Sequence, residues 1–241
     1  MTGQPLARRA LAEALGTGAL VVAVVGSGIM AARLSPDDVG LQLLENAIAT
    51  ALALGVIIVV FGPVSGAHLN PVVSMVAWWS GLRRGGGLPG REVGVYVAAQ
   101  TAGAVGGAVL ANVMFDLPAV EFAATARAAG HLWISEIVAT SGLILLIFAL
   151  ARTGRATLTP AAVGAYIGAA YWFTSSTSFA NPAITVGRVF SDTFAGIAPA
   201  SVVPFILAQL VGGAVALGLV RFLYPDLSAA EAGNAVEGRN R

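Results

Sequence analysis

Two Asn-Pro pairs are the residues of this chain best suited to act on a passing solute. Asn70 precedes Pro71 and Val72, and Asn181 precedes Pro182 and Ala183. Asn is a favoured N-cap and Pro fits the first helical position, so each pair marks a helix start. Both starts fall inside apolar sequence. A helix that begins in mid-membrane leaves backbone N–H groups without partners, so such a break must line a polar cavity or be buried in protein. A capping Asn uses its side-chain oxygen on the backbone and keeps its amide hydrogens free to donate into a pore. Two half-helix N-termini aimed at one place would also raise a positive barrier to protons and cations. The chemistry on offer is orientation of an oxygen-bearing solute and exclusion of cations.

Few other residues compete for a chemical role. Glu13 and Glu136 are intramembrane carboxylates, which invite a proton-relay reading. Their matched positions favour a structural one, in which each accepts hydrogen bonds from the broken backbone near a half-helix, with Gln100 and Gln209 supporting the same loops. His68, two residues before Asn70, is expected to line the cytoplasmic mouth, and His131 to be interfacial. Ser65 with His68 lacks the oriented third partner and oxyanion site that a hydrolase needs, so no catalytic residue is expected.

Composition sets the class. Of 241 residues 57% are hydrophobic and 10% charged, too apolar for a solvated surface, so the chain is read as an integral membrane protein in contact with the lipid bilayer. With no Cys and two His, no metal site and no cofactor are expected. A net charge of +1 argues against a nucleic-acid partner.

The elements that must position the Asn-Pro pairs follow from hydropathy. Apolar runs of roughly twenty residues lie at about 13–32, 42–64, 93–114, 132–151, 160–178 and 201–223, and half-length segments at about 70–80 and 181–190. Arg8-Arg9 precedes the first run, which lacks a convincing cleavage site and is read as a retained span. Ten arginines (Arg8, Arg9, Arg83, Arg84, Arg91, Arg152, Arg155, Arg221, Arg239, Arg241) then share one side, and Arg33, Arg127 and Arg188 take the other. By the positive-inside rule both termini are cytoplasmic. Each half of the chain runs Glu, Asn-Pro, then Ala-Gln-x-x-Gly: Glu13 and Gln100 in the first, Glu136 and Gln209 in the second. Three full spans per copy make this an inverted repeat, about 8–115 and 131–224, within a single channel domain, followed by a loose cytoplasmic tail at 228–241. Small residues such as Gly103, Gly106, Gly107, Gly212, Gly213 and Gly218 are expected where helices approach closely.

From Glu13 to about Tyr224 these residues resemble the aquaporin family, the major intrinsic proteins. Ser65-Gly66-Ala67-His68-Leu69-Asn70-Pro71-Val72 is similar to the first family box, with Val72 where Ala is usual, and Asn181-Pro182-Ala183 to the second. The resemblance implies an all-α membrane fold of six tilted helices and two re-entrant half-helices, a homotetramer with one pore per subunit, and passive passage of small neutral solutes through a plasma membrane, here a bacterial inner membrane. One departure stands out. Where relatives place an Arg directly after the second box, this chain has Ile184, and Arg188 follows a turn later, expected to reach the outer vestibule and water. A gap-free alignment puts the remaining filter positions at Thr50, Ala169 and Ser178. None of the four is aromatic, so the filter is expected to be wide and weakly polar. It resembles the bacterial subgroup that lacks this Arg and is associated with arsenical resistance. Water, glycerol-like polyols and neutral hydroxides such as arsenite are the implied solutes. The competing readings are a water-only channel, a closed structural member, and an ion-coupled transporter, which would want an ionisable group at the break.

Overall fold

The structure, a computed structural model, describes residues 4–81 and 88–225. Arg83, Arg84, Arg239, Arg241 and the tail at 228–241 lie outside the described residues. Among the described residues every regular element is helical: α1 (Leu6–Leu34), α2 (Val39–Ser65), α3 (Pro71–Gly81), α4 (Gly90–Met114), α5 (Gly130–Arg152), α6 (Thr159–Phe173), α7 (Pro182–Gly187) and α8 (Pro199–Leu223), with 3₁₀ turns at Ala156–Leu158 and Arg188–Phe190. Helices α1, α2, α4, α5 and α8 are each long and apolar enough to cross a membrane. α6 is shorter, 15 residues, about 22 Å at 1.5 Å per residue. It ends at Phe173 and not near residue 178, because residues 174–181 form an extended and left-handed return to the membrane centre. α3 and α7 are the two half-helices, and together the eight make the six-span, two-half-helix inverted repeat.

The repeat also appears in the packing. α1 packs on α2 and α4, α5 packs on α6 and α8, and each half-helix touches both α4 and α8. Backbone-to-backbone contact makes this possible. A Cβ on Gly103 would sit 2.1 Å from the Ala14 carbonyl oxygen, and one on Gly107 2.4 Å from that of Gly18, so α1 and α4 meet at a separation only Gly allows. In the second repeat a Cβ on Gly212 would lie 2.7 Å from the Ile137 carbonyl oxygen. Gly106 and Gly218 have nothing within 4 Å of such a Cβ, so they do not serve close packing as the sequence suggested. Gly213 makes room for a side chain: its added Cβ would stand 2.5 Å from Val72 Cγ1, so Gly213 accommodates the larger residue in the first box.

Candidate functional site

Each half-helix is reached through a short backbone stretch that no regular structure could hold. Gly66, Ala67 and Leu69 in the first copy, and Thr177, Ser178 and Ala180 in the second, have φ between 46° and 90°. Non-Gly residues in this region cost of order 1–3 kcal/mol each unless their surroundings over-determine them. Two buried carboxylates do so. Glu13 accepts from the Ser65 hydroxyl (2.6 Å), the His68 and Leu69 backbone N–H groups (2.9 and 2.6 Å) and the Gln100 amide (2.7 Å). Glu136 accepts from the Ser176 hydroxyl (2.6 Å), the Phe179 and Ala180 N–H groups (2.9 and 2.8 Å) and the Gln209 amide (2.7 Å). With four donors apiece, both carboxylates are saturated. Gln100 also donates to Ser74 (3.1 Å) and Gln209 to Thr185 (2.9 Å), tying each loop to the half-helix that follows it.

The two Asn residues close the arrangement across the repeats. Asn70 Oδ1 accepts from the Val72 N–H (2.9 Å), and Asn181 Oδ1 from the Ala183 and Ile184 N–H groups (3.0 and 3.3 Å). Each Nδ2 then donates to the other copy's loop, Asn70 to the Ala180 carbonyl (2.8 Å) and Asn181 to the Leu69 carbonyl (2.7 Å). An amide has two N–H groups, so one per Asn is taken up here and one is left for the lumen, fewer than the sequence suggested. Pro71 and Pro182 occupy the first position of α3 and α7, and Val72 and Ala183 are buried behind them.

A cavity of about 660 Å³ runs past both Asn side chains. The terminal face is the one that carries the start of α1 and the end of α8. Toward it the cavity is lined by His68 and Ala77, and toward the opposite face by Thr50, Tyr171, Ser178, Ile184 and Arg188. Thr50, Ser178 and Ile184 thus share one stretch of wall. Ala169 is not there: it is exposed on the outer side of α6. Two residues along a helix is about 200° of rotation, so Ala169 turns away where Val163, Ile167 and Tyr171, spaced by four, turn inward. The i, i+4, i+8 spacing was the available signal, which the gap-free alignment did not use. Tyr171 is therefore the residue sequence reasoning missed. It is 3% exposed and donates to the Thr50 hydroxyl at 3.2 Å. Arg188 departs from expectation too. It does not extend freely into an outer vestibule but is held in the cavity wall at 3% exposure, with Nε bonded to the Ala195 carbonyl and the guanidinium 3.4 Å from the Phe179 ring centroid.

Away from the shared scaffold the two ends differ. His68 Nδ1 lies 3.0 Å from Ser74 Oγ, and its ring meets Tyr96 edge-on at 5.3 Å. Behind it, the Tyr96 hydroxyl donates to the Ser65 carbonyl (2.8 Å), and Arg9 pairs with Glu92 at 2.6 Å. The matching positions in the second repeat hold Phe179 and Phe205, again edge-on at 5.3 Å, with Leu132 packed beside them. There the Ser176 carbonyl faces Arg127 Nη1 at 3.5 Å, while Arg127 Nε donates to the Gly196 carbonyl at 3.1 Å. Arg127 belongs to the segment between α4 and α5, where burial pushes its guanidinium down from its ordinary value.

Comparison with known proteins bears on this arrangement. Residues 1–180 match the family described as major intrinsic protein. The chain is 50% identical over 218 residues to the aquaglyceroporin AqpS of Rhizobium meliloti (strain 1021), covering 90% of this chain and 91% of that protein. It is 30% identical to the glycerol uptake facilitator protein of Pseudomonas aeruginosa, covering 88% and 87%. The X-ray structure of the aquaglyceroporin from Plasmodium falciparum superposes with a TM-score of 0.67 at 21% identity, over 95% of this chain and all of that one, which speaks to the fold. A matched family model, a half-identical relative of equal length and a pair of crossed Asn-Pro loops agree: the chain belongs to the major intrinsic protein family.

Proposed function

We propose that the protein is a passive pore for small uncharged solutes: water, glycerol-like polyols and neutral metalloid hydroxides such as arsenite. The observation that carries this is the wall formed by Thr50, Tyr171, Ser178 and Ile184, which is uncharged and bears hydroxyls able to replace part of a solute's hydration. Ser178 lines this wall, and its Oγ is buried with its hydrogen-bonding capacity unused. Ile184 supports the larger solutes, since it puts a hydrocarbon where many relatives, on the resemblance noted above, carry a cation. The named relatives support the polyol class, and the resemblance to the arsenical-linked subgroup supports arsenite. At the centre, Asn70 and Asn181 each keep one N–H for the lumen, enough to turn a solute oxygen and break a proton-conducting water chain. The saturated Glu13 and Glu136 weigh against ion coupling, because neither has a lone pair left to hold a proton. The protein is taken to work as a homotetramer in a bacterial inner membrane, with the terminal face cytoplasmic.

Tyr171 favours a second reading, a water-only channel, because an aromatic ring narrows the passage. Proteoliposomes separate the two. Under the first reading they take up glycerol and arsenite faster than empty vesicles and exclude arsenate, an anion at neutral pH. Ile184→Arg should then suppress glycerol at least several-fold more than water. Wild-type vesicles that pass water alone would establish the narrow reading.

A further inference from the structure

We infer that Arg188 is the residue that selects by charge in this pore, from a position about one helical turn outside the ring that selects by size. The inference rests on the pore reading above and adds a division of labour to it. The size-selecting ring of Thr50, Tyr171, Ser178 and Ile184 carries no charge. Arg188 lines the same cavity but lies four residues beyond Ile184 in a half-helix running from the pore centre to the opposite face, about 6 Å further out.

The guanidinium is held and left without an ionic partner. Nε is committed to the Ala195 carbonyl, and the Phe179 ring lies under the plane of the group. No hydrogen bond engages either terminal nitrogen, and neither is among the buried atoms lacking partners, so both open onto the cavity. Arg9 and Glu92 pair on the terminal side, whereas Arg188 has no salt-bridge partner among the described residues, and the carboxylate whose field reaches it is Glu136. Glu136 is behind the loop with four donors already on it. A second cation strengthens the field: Arg127 also stands over the Phe179 ring, 5.0 Å from its centroid. In the first repeat the position matching Arg188, seven residues after the Asn, is Ala77, which lines the cavity without charge. In the cavity lining the arginine therefore stands at one end, opposite the terminal face.

Cations meet this field before they reach the ring, while the electron-rich oxygens of neutral solutes are drawn to it; an anion still has to shed its hydration at the uncharged ring and is stopped there. Size is sorted only afterwards. A filter built in this order stays wide at Ile184 and is still closed to cations.

The chain contains no cysteine, so one can be introduced as a reporter of local potential. Ser178→Cys, or Ile184→Cys should the first not fold, is reacted in proteoliposomes with methanethiosulfonates bearing a sulfonate or a trimethylammonium tail, and loss of glycerol flux is followed. With each rate divided by that reagent's rate toward a free thiol in solution, the anionic reagent should be favoured about tenfold when Arg188 is present, the effect of one unit charge at close range in a wet wall. Arg188→Gln, which keeps a donor for Ala195, should bring the ratio close to one, and Arg188→Lys should keep it. A ratio near one with Arg188 in place overturns the inference, and so does a ratio that persists in Arg188→Gln. If Arg188→Gln does not elute as folded protein, the ratio in the Arg188 background is measured against added salt, and insensitivity to salt also overturns it. Absence of any glycerol or water flux in the unmodified protein would instead remove the pore reading itself.

Discussion

The first repeat and the second share a scaffold and differ in what they present to the pore. Glu13 and Glu136 collect the same four kinds of donor: a hydroxyl, two consecutive backbone N–H groups and a glutamine amide. Ser74 and Thr185 sit at matching places, each bonding back to the carbonyl of its Asn. Yet His68, Tyr96, Arg9 and Glu92 on one side are replaced by Phe179, Phe205, Leu132 and Ser201 on the other. The lesson is that an inverted repeat repeats its backbone solution. A left-handed loop in a membrane can be stabilised in few ways, so both copies use the same one. The residues around it are free to diverge, and there the two mouths acquire different chemistry.

The strongest test of this equivalence is to damage both scaffolds alike. Glu13→Gln and Glu136→Gln each replace an acceptor oxygen with a donor facing a buried N–H and a glutamine amide. Each should cost about 3–5 kcal/mol, read as a large drop in thermal stability of the detergent-solubilised protein. Similar losses would sharpen the comparison, and a large loss in one with little in the other would break it.

A smaller effect is expected where the copies part company. Val72 fits because Gly213 lacks a Cβ, whereas the second copy has Ala183 in the corresponding place. Gly213→Ala should cost about 1–3 kcal/mol by overpacking, and adding Val72→Ala should restore most of it. Failure of that rescue in a double-mutant cycle would mean the two residues are not fitted to each other.

The smallest change concerns the carbonyls of the matched serines. Ser65 is met by the Tyr96 hydroxyl, and Ser176 by the more distant Arg127. Tyr96→Phe should cost about 1 kcal/mol. Phe205→Tyr should partly compensate Arg127→Gln, by bringing a hydroxyl to the Ser176 carbonyl as Tyr96 does to that of Ser65. Thermal melts of the single and double variants decide whether one carbonyl can borrow the other's partner.

The spans and half-helices are legible in the sequence because hydropathy marks the former and Asn-Pro the latter, each twice. What faces the cavity is less legible, for reasons tied to particular residues. The end of α6 carries no breaker. Thr174 to Ala180 leave the helix without a Gly or Pro, and the left-handed turns at Thr177, Ser178 and Ala180 are imposed by Glu136, a residue about forty positions away. The gap-free alignment that gave Ala169 took no account of which face of α6 turns inward, and that face carries Tyr171. Arg188 was misjudged for a related reason: an arginine near a membrane surface normally snorkels into water. The Phe179 ring and the Ala195 carbonyl that hold it inside come from two loops whose paths the local pattern does not specify.

The crossed bonds of the two asparagines also set a schedule for building the protein. Asn70 and the Ala180 carbonyl are separated by 110 residues, Leu69 and Asn181 by 112. At ribosomal speeds of about 5–20 residues per second, the first loop waits on the order of ten seconds for its partners to be made. Throughout that interval a polar amide and a bare carbonyl sit at mid-bilayer depth with only water or the insertion machinery to satisfy them. The pore's centre is thus among the last parts of the molecule to close, and the newborn first half is the stage most in need of protection.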